Sequence, residues 1–180
     1  PRLEKPTRGV ILQNIDDKFG QKSKQSKKWY KKVGVVYQNP DYQLFMQTVE
    51  KEIKFGAKSD EYADEIAEKF GIKHLYARHP QSLSEGQKRR VSIAAVVATD
   101  PEVLILDEPT VGQDYKGLCE MVEVLNKLHE EAHNTMITVT HDKRCAAALC
   151  DKSVWIKNGK TYKTGGKELV DEFFIQIGVN

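Results

Sequence analysis

The sequence predicts an α/β fold that combines a parallel β-sheet, a mainly helical segment and an antiparallel β portion. Two short, continuous apolar runs, at residues 103–106 and 136–139, are typical of parallel strands that are covered on both faces. The amphipathic stretch between them predicts the helix of a right-handed βαβ crossover. Near the end of the chain, Asn158-Gly159 separates two β-prone runs, which is a strong signal for a type I′ hairpin.

The composition is that of a globular domain of ordinary size. The chain has 180 residues, 39% of them hydrophobic and 30% charged, and a net charge of only +2. So small a charge argues against an obligate nucleic-acid binder, and no apolar run approaches the roughly 20 residues of a membrane span. The three cysteines show no C-x-x-C spacing, which suits a reducing compartment and indicates neither a metal site nor a disulfide framework.

The first part of the chain is predicted to be rich in β-structure. Residues 9–12 and 33–36 have the apolar pattern of strands. The lysine-rich stretch between them, residues 18–32, predicts a solvated loop or, alternatively, a contact with anionic lipid headgroups. We therefore expect residues 1–39 to form an N-terminal β portion.

Residues 40–98 are predicted to be mainly helical. Ser59 is placed to cap a helix over residues 60–70, which Gly71 can end. A second helix is expected from the turn at Ser84 to about Ala98. The remaining residues, 99–180, then form the α/β part with the two apolar strands and the hairpin.

Two carboxylates end the first apolar strand. Asp107 and Glu108 follow residues 103–106, so a parallel sheet would deliver both to its carboxyl edge, where α/β proteins bind ligands. Asp107 is suited to hold Mg²⁺, which prefers a few hard oxygen ligands and keeps several waters. Glu108 is suited to orient or deprotonate an attacking water. A solvated acidic turn is the alternative.

A second candidate site lies at a predicted helix start. Ser84-Glu85-Gly86-Gln87 offers a hydroxyl and backbone N–H groups to an anion, and Gly86 permits close approach. Ser84 could equally be an ordinary N-cap. Two further side chains follow predicted strands: His141 can reach a phosphate or a polarised water, and Gln38 can offer an amide oxygen to a metal.

The order and spacing of these elements resemble the ATP-binding cassette (ABC) ATPases. Residues 37–41 resemble the Q-loop and residues 83–87 the signature motif. Residues 104–108 resemble Walker B, residues 110–114 the D-loop, and residues 140–142 the segment of the switch histidine. The resemblance covers nearly the whole chain and implies the core of a P-loop NTPase, with a helical subdomain and a partial antiparallel β portion.

The resemblance implies a role for each candidate residue and the cofactors ATP and Mg²⁺. Asp107 and Gln38 would lie at Mg²⁺, Glu108 would be the catalytic base, and His141 would contact the γ-phosphate. The signature residues would contact the ATP that is held by a second ATPase subunit, identical or not, and these are Ser84, Glu85, Gly86 and Gln87. Asp114 would help to tie the two subunits together.

Residues 38–45 and 84–90 are similar to the ATPases of energy-coupling-factor importers, the cobalt and vitamin type. This similarity implies a peripheral subunit on the cytoplasmic face of the membrane. It would drive import by hydrolysing ATP, with a transmembrane subunit as partner near Phe45. Nucleic acid is not an expected partner. Two positions depart from the family pattern: Glu85 replaces the more usual Gly, and Gln113 stands where the D-loop usually has Leu, which puts the packing between subunits in doubt.

The 180 residues contain no Walker A loop, G-x-x-x-x-G-K-[ST], whose N–H groups and Lys would cradle phosphates. Gly159-Lys160-Thr161 does not complete one, because Val154 stands where its first Gly should be. Since the sequence begins at Pro1 without an initiator Met, we expect a cut end just downstream of the phosphate loop. We also expect these residues alone not to hydrolyse ATP.

Two other functions stay open at this point. One is an ABC-type ATPase outside transport, in translation or DNA repair, although the stretch between Gln38 and Leu83 shows no heptads of the long coiled coil that repair members insert there. The other is a non-catalytic interaction module that docks a membrane partner and dimerises through Ser84 and Asp114.

Overall fold

The computed structural model describes residues 32–132 and 134–177. The expected strand at 9–12 and most of the lysine-rich stretch lie outside this range. Within it the chain forms five strands and six α-helices, in this order: β1 Val33–Val36, α1 Val49–Lys54, α2 Asp60–Lys69, α3 Glu85–Val97, β2 Val103–Asp107, α4 Tyr115–Ala132, β3 Thr135–Val139, α5 Lys143–Leu149, β4 Ser153–Lys157, β5 Lys160–Gly165 and α6 Lys167–Gln176.

A three-stranded parallel sheet with the order β1-β2-β3 forms the centre of the α/β part. Val36 pairs with Leu106, and Leu106 pairs with Thr138. The two predicted apolar strands are thus confirmed as parallel neighbours joined through α4. Residues 33–36, which were expected within the N-terminal β portion, form an outer strand of this core sheet.

Gly34 explains how β1 fits into the core. A Cβ at this position would lie 2.5 Å from Cγ1 of Val96 and 3.1 Å from Cγ of Pro101. Only glycine lets the strand approach the end of α3 so closely, because any larger residue would clash with these side chains. The apolar run that looked like part of an irregular β region therefore packs beside β2.

One face of the sheet packs on the helices and the other does not. Leu104 and Leu106 are buried in the core. On the opposite face, Val35, Ile137 and Val139 are exposed among the residues that the structure describes. The expectation that the strands are covered on both faces is therefore not met by the described part of the chain.

The helical segment is built by the predicted local signals. The Ser59 side chain accepts a hydrogen bond from the Tyr62 N–H at 3.2 Å and caps α2. Gly71 has φ +64° just after α2, the left-handed conformation that ends a helix. These helices and the inner face of the sheet enclose one hydrophobic core, whose most deeply buried members include Val36, Val49, Ile53, Ile66, Ile93, Leu106, Met121 and Leu125.

The C-terminal hairpin is confirmed as antiparallel, and both turn residues, Asn158 and Gly159, have positive φ. Its Trp155 is buried, with its ring 4.9 Å from that of Tyr162 and 5.0 Å from that of Phe173, both edge-to-face. Aromatic contacts of this kind fasten the hairpin to α6. No helix among the described residues is long and apolar enough to cross a membrane.

Candidate functional site

The carboxyl edge of the parallel sheet gathers four of the predicted site residues. Asp107 ends β2 and Glu108 follows it, Gln38 lies two residues after β1, and His141 lies two residues after β3. Because the three strands are parallel and in register, their carboxyl ends meet at one edge. The sequence analysis placed Asp107 and Glu108 at this edge for the same reason, since it predicted a parallel sheet.

Glu108 is held in a defined orientation. Its backbone has φ +49°, unusual for a residue other than glycine, and its N–H donates to the Val139 carbonyl oxygen at 2.8 Å. The Thr140 hydroxyl donates to Oε2 at 3.2 Å, and the His141 N–H donates to Oε1 at 3.1 Å. The backbone strain and these bonds aim a single carboxylate at the sheet edge, as is often seen at functional sites.

His141 makes the strongest contact with this carboxylate. Its Nδ1 lies 2.6 Å from Oε1 of Glu108. The hydrogen bond and the negative charge of Glu108 raise the pKa of His141 above its usual value. The imidazole side chain is 77% exposed whereas that of Glu108 is 12% exposed, so the histidine can turn away and the carboxylate cannot. The pair can therefore act as a switchable acid and base.

Asp107 has the chemistry to hold a divalent cation. It lies at the same edge, half-buried, opposite Val139 of β3. The described residues contain no group of three acidic, histidine or cysteine side chains that would form a complete metal cage. A single carboxylate suits Mg²⁺, which takes one or two carboxylates together with phosphate and water oxygens. The residues present thus fit Mg²⁺ beside a phosphate ligand.

The backbone of Gln38 has a structural role besides the one predicted for its side chain. Its backbone carbonyl oxygen accepts a hydrogen bond from Nη2 of Arg89, and the neighbouring Tyr37 carbonyl accepts one from Nη1 at 2.7 Å. The Gln38 residue is exposed, so its side-chain oxygen can reach a ligand at the sheet edge. Arg89 therefore holds the backbone of the loop at Tyr37 and Gln38 in place.

The predicted signature residues form the start of α3. The Ser84 hydroxyl accepts from the Gln87 N–H at 3.4 Å, and Oε1 of Gln87 accepts from the Ser84 N–H at 3.1 Å. This reciprocal pair is a capping box. Ser84 is therefore an N-cap, the alternative considered from sequence. Since Ser84 and Glu85 are also exposed, the same turn can meet an anion.

The signature turn and the loop after β2 share a cleft of about 450 Å³. Its lining includes Ser84, Gly86, Gln87, Gln113 and Asp114. Of the described residues at the sheet edge, neither Asp107, Glu108, Gln38 nor His141 lines it. The structure thus divides the predicted residues between two places, the sheet edge and this cleft.

Asp114 has a local role in addition to its predicted one. Its Oδ1 accepts a hydrogen bond from the Gly117 N–H at 2.7 Å. This bond caps the first turn of α4, as Asp commonly does. The exposed remainder of Asp114 faces the cleft.

Sequence reasoning missed two basic residues of α3. Lys88 is buried, and its Nζ lies 2.9 Å from Oδ1 of Asp41 and 3.3 Å from Oε1 of Glu85. Arg89 is only 2% exposed and binds the Q-loop backbone as described above. Burial lowers the pKa of Arg89, and the charge of Asp107 opposes this effect. The signal that could have revealed them is their place just before the apolar residues Val91 and Ile93, on a helix that packs against the core.

A family model described as ABC transporter matches residues 2–111 of this chain. The chain is 43% identical, over 180 residues, to the energy-coupling factor transporter ATP-binding protein EcfA2 of Bacillus thuringiensis (strain Al Hakam). That match covers 93% of this chain and 61% of EcfA2, so the chain spans less than two thirds of the length of this relative.

Two solved structures are similar in fold. One is cbiO1 from Clostridium perfringens, part of the ABC transporter complex cbiONQ, with a TM-score of 0.69, 33% identity and coverage of 82% of this chain and 63% of that one. The other is the ATP-binding cassette MJ0796, a dimer in a post-hydrolysis state bound to ADP and Pi. Its TM-score is 0.68, with 25% identity and coverage of 76% of this chain and 63% of that one.

Proposed function

This chain belongs to the ABC transporter family, and on that basis we propose that it forms part of the ATP-hydrolysing subunit of an energy-coupling-factor type importer. The observation that carries the proposal is the convergence of Asp107, Glu108 and His141 at one sheet edge, with the Glu108 carboxylate held toward His141. A carboxylate for a metal ion, a carboxylate that positions water and a group that can neutralise phosphate charge are three of the parts that phosphoryl transfer to water uses.

In this proposal Glu108 is the catalytic base. Thr140 and the His141 backbone orient its carboxylate, so that one oxygen can accept a proton from a water that attacks a phosphate. His141 occupies Oε1 at 2.6 Å. When the imidazolium turns toward the γ-phosphate it neutralises charge there and frees Glu108 for proton transfer.

Asp107 and the side-chain oxygen of Gln38 would hold Mg²⁺ at the same edge. The ion, when bound, neutralises charge on the phosphate oxygens. Asp107 is suited to this role by its position at the end of β2. Gln38 is suited to it because its side chain is exposed and its backbone is held by Arg89. Loss of the Asp107 carboxylate should therefore weaken the binding of Mg-ATP more than that of ATP alone.

The cleft residues would serve a second ATPase subunit, identical or different. Ser84, Glu85, Gly86 and Gln87 would contact the nucleotide held by that subunit, and Asp114 would help to join the two. Support comes from the separation of this cleft from the sheet edge and from the dimeric state of the similar cassette MJ0796.

We propose that the 180 residues by themselves do not turn over ATP. No G-x-x-x-x-G-K-[ST] loop is present in them to cradle the phosphates. The open face of the sheet at Val35 and Ile137 provides a surface on which a polypeptide that carries such a loop could pack. Mg²⁺-dependent turnover by the purified 180 residues, lost on Glu108→Ala, would contradict this part of the proposal.

The transmembrane partner would dock on the surface formed by Tyr42, Phe45 and Phe55. All three are exposed, and the rings of Phe45 and Phe55 are 5.3 Å apart, edge-to-face. The buried carboxylate of Glu52 accepts from the N–H groups of Phe45, at 2.9 Å, and Met46, at 2.7 Å, and so holds the loop. Exposed aromatic residues on a fixed loop are typical of interface anchors.

Lys88 and Arg89 would connect this surface to the nucleotide. They join α3, which begins at the signature turn, to Asp41 and to the Tyr37 and Gln38 carbonyls. A displacement of the docking surface would therefore be transmitted to α3 through these two buried cationic side chains. The subunit would act at the cytoplasmic face of the membrane, in the import of a metal ion or vitamin, with cobalt among the candidates.

We further propose three functional regions: about 1–39 with the Q-loop, about 40–98 as a helical subdomain with the signature, and about 99–180 as the α/β core. β1 is structurally part of the core sheet, so the first boundary concerns function rather than packing. Steady-state ATPase activity of the full-length subunit with Glu108→Gln tests the main proposal, as described in the Discussion.

A further inference from the structure

The side chain of Gln113 connects the loop after β2 to the first turn of α3. Its Nε2 donates to the carbonyl oxygen of Gly86 at 2.9 Å, in a partly buried contact between residues 27 positions apart. Leucine, the residue that the family resemblance leads us to expect here, has no group that could donate. The polar substitution therefore makes a specific bond that the usual residue could not make.

Gly117 provides the room for this amide. A Cβ at Gly117 would lie 2.5 Å from Oε1 of Gln113, closer than two such atoms can approach. A glycine in a helix is ordinarily a cost, because it loses more conformational freedom on folding than alanine does. In the first turn of α4 the absence of a Cβ leaves space for the Gln113 side chain.

Two further contacts lie close to the bond between Gln113 and Gly86. Asp114, the next residue, caps α4 through the Gly117 N–H at 2.7 Å. One turn further along, Nη2 of Arg90 lies 2.9 Å from Oε2 of Glu120 and joins α3 to α4 a second time. The Gln113 amide and Arg90, which both line the cleft, thus each join α3 to the segment that begins or forms α4.

We propose that Gln113 is a positioning residue, whose amide holds the signature turn in register with Asp114, so that Ser84, Gly86 and Asp114 are presented to a second subunit as one preorganised face. This inference rests on the proposed function, because it takes the cleft to be the side that meets the other subunit's nucleotide. Preorganisation matters because groups that are ordered before association do not have to lose that freedom on binding.

The first test uses the full-length subunit with its phosphate loop. Gln113→Met keeps the length of the side chain and removes the donor. Since Glu108 and His141 are untouched, we expect kcat at saturating ATP to stay within about twofold, and the apparent KM for ATP to rise about 3- to 10-fold, the worth of one hydrogen bond. Gln176→Met, at an exposed position on α6, is the matched control and should change neither constant.

A second variant reaches the same bond from the other side. Gly117→Ala should displace the amide and raise the apparent KM in the same way, while the better helix propensity of alanine tends to raise the melting temperature. The new Cβ would also lie 3.0 Å from Oδ1 of Asp114. The double variant Gln113→Ala/Gly117→Ala separates the two effects: we expect it to match Gln113→Ala alone.

The outcomes are distinguishable. An unchanged KM in Gln113→Met, or a lower melting temperature as its only effect, would overturn the inference and leave the proposed function standing. An effect of Gly117→Ala that persists in the Gln113→Ala background would assign it to the other neighbours of the new Cβ, Asp114 and Arg90, and also overturn the inference. Near wild-type turnover in Glu108→Gln would reject the proposed function, and this inference with it.

Discussion

The imidazole Nδ1 of His141 lies 2.6 Å from the Oε1 atom of Glu108, although the two residues are 33 positions apart in the chain. The contact is possible because β2 and β3 are parallel neighbours, which brings the residues that follow them to one edge. It joins Glu108, the proposed base, to His141, the residue proposed to contact the γ-phosphate.

Glu108→Gln in the full-length subunit should slow ATP hydrolysis about 10²- to 10⁴-fold, the usual contribution of a positioned base. ATP should still bind, since the substitution keeps the shape of the side chain and the hydrogen bond from Thr140. Steady-state phosphate release and nucleotide titration measure the two quantities. Glu102→Gln, on the exposed side just before β2, is the matched control and should retain turnover. A Glu108→Gln subunit with near wild-type turnover would reject the role.

The pKa of His141 should lie above its usual value in the nucleotide-free subunit and fall back when Glu108 is replaced. The hydrogen bond to Glu108 is the main cause of the shift, and Asp142 adds a smaller attraction. Because the pKa is raised in the folded state, the pair stabilises the fold fully below the ordinary pKa of about 6.5. That contribution is lost as the pH rises through the folded-state value. NMR titration of the imidazole in the wild type and in Glu108→Gln checks this, and equal pKa values in both would contradict it.

Ser84→Ala should reduce both stability and function, whereas Ser59→Ala should reduce stability alone. Each serine caps a helix through its hydroxyl, Ser84 on α3 and Ser59 on α2. Loss of either cap should lower the free energy of unfolding by about 0.5–2 kcal/mol. Only Ser84 lies in the cleft, so only its loss should also weaken ATP-dependent dimerisation, measured by size-exclusion chromatography in the Glu108→Gln background. Equal dimerisation of both variants would show that Ser84 is a cap and no more.

Phe45→Ser should weaken binding to the transmembrane subunit, while Ile175→Ser should not. Both side chains are apolar and 67% exposed, but Phe45 lies on the proposed docking surface and Ile175 lies on α6. Replacing an aromatic interface anchor costs at least about 1–2 kcal/mol of binding free energy, a loss of roughly tenfold or more in affinity. Co-purification from detergent extracts compares the two variants. If Phe45→Ser leaves capture by the transmembrane subunit intact, and charge reversal at Asp41 and Glu50 does so too, the docking surface lies elsewhere.

Most of the helices and strands could be predicted from local pattern. The start of α2 at the Ser59 cap, its end at Gly71 and the turn at Asn158-Gly159 all depend on contacts within a few residues. The position of Glu108 at a sheet edge was predictable as well, since any parallel strand that ends in carboxylates delivers them there. Helices α5 and α6 were not predicted, because α5 has only 7 residues and α6 has no side-chain cap to mark its start.

The contacts between distant segments could not be predicted in the same way. Arg89 looked like one more charge in the signature, yet it is buried and binds two carbonyls in the Q-loop, about 50 positions away. Gln113 departs from the Leu that is usual in the D-loop, which put the packing between subunits in doubt, yet it makes a bond within this chain. Such pairings depend on how helices and loops pack, and nothing near either residue in the sequence specifies its partner.

The sequence by itself determined the order of β2, α4, β3 and the hairpin, the caps of α2 and α3, and the candidate residues that follow the core strands. These features follow from hydrophobic periodicity, turn residues and the direction of parallel strands, all of which are local. Only the tertiary structure decided that residues 33–36 join the core sheet, that Arg89 anchors the Q-loop, and that Gln113 fits into the space above Gly117. These depend on which surfaces fit at close-packed density, a property of the folded chain as a whole.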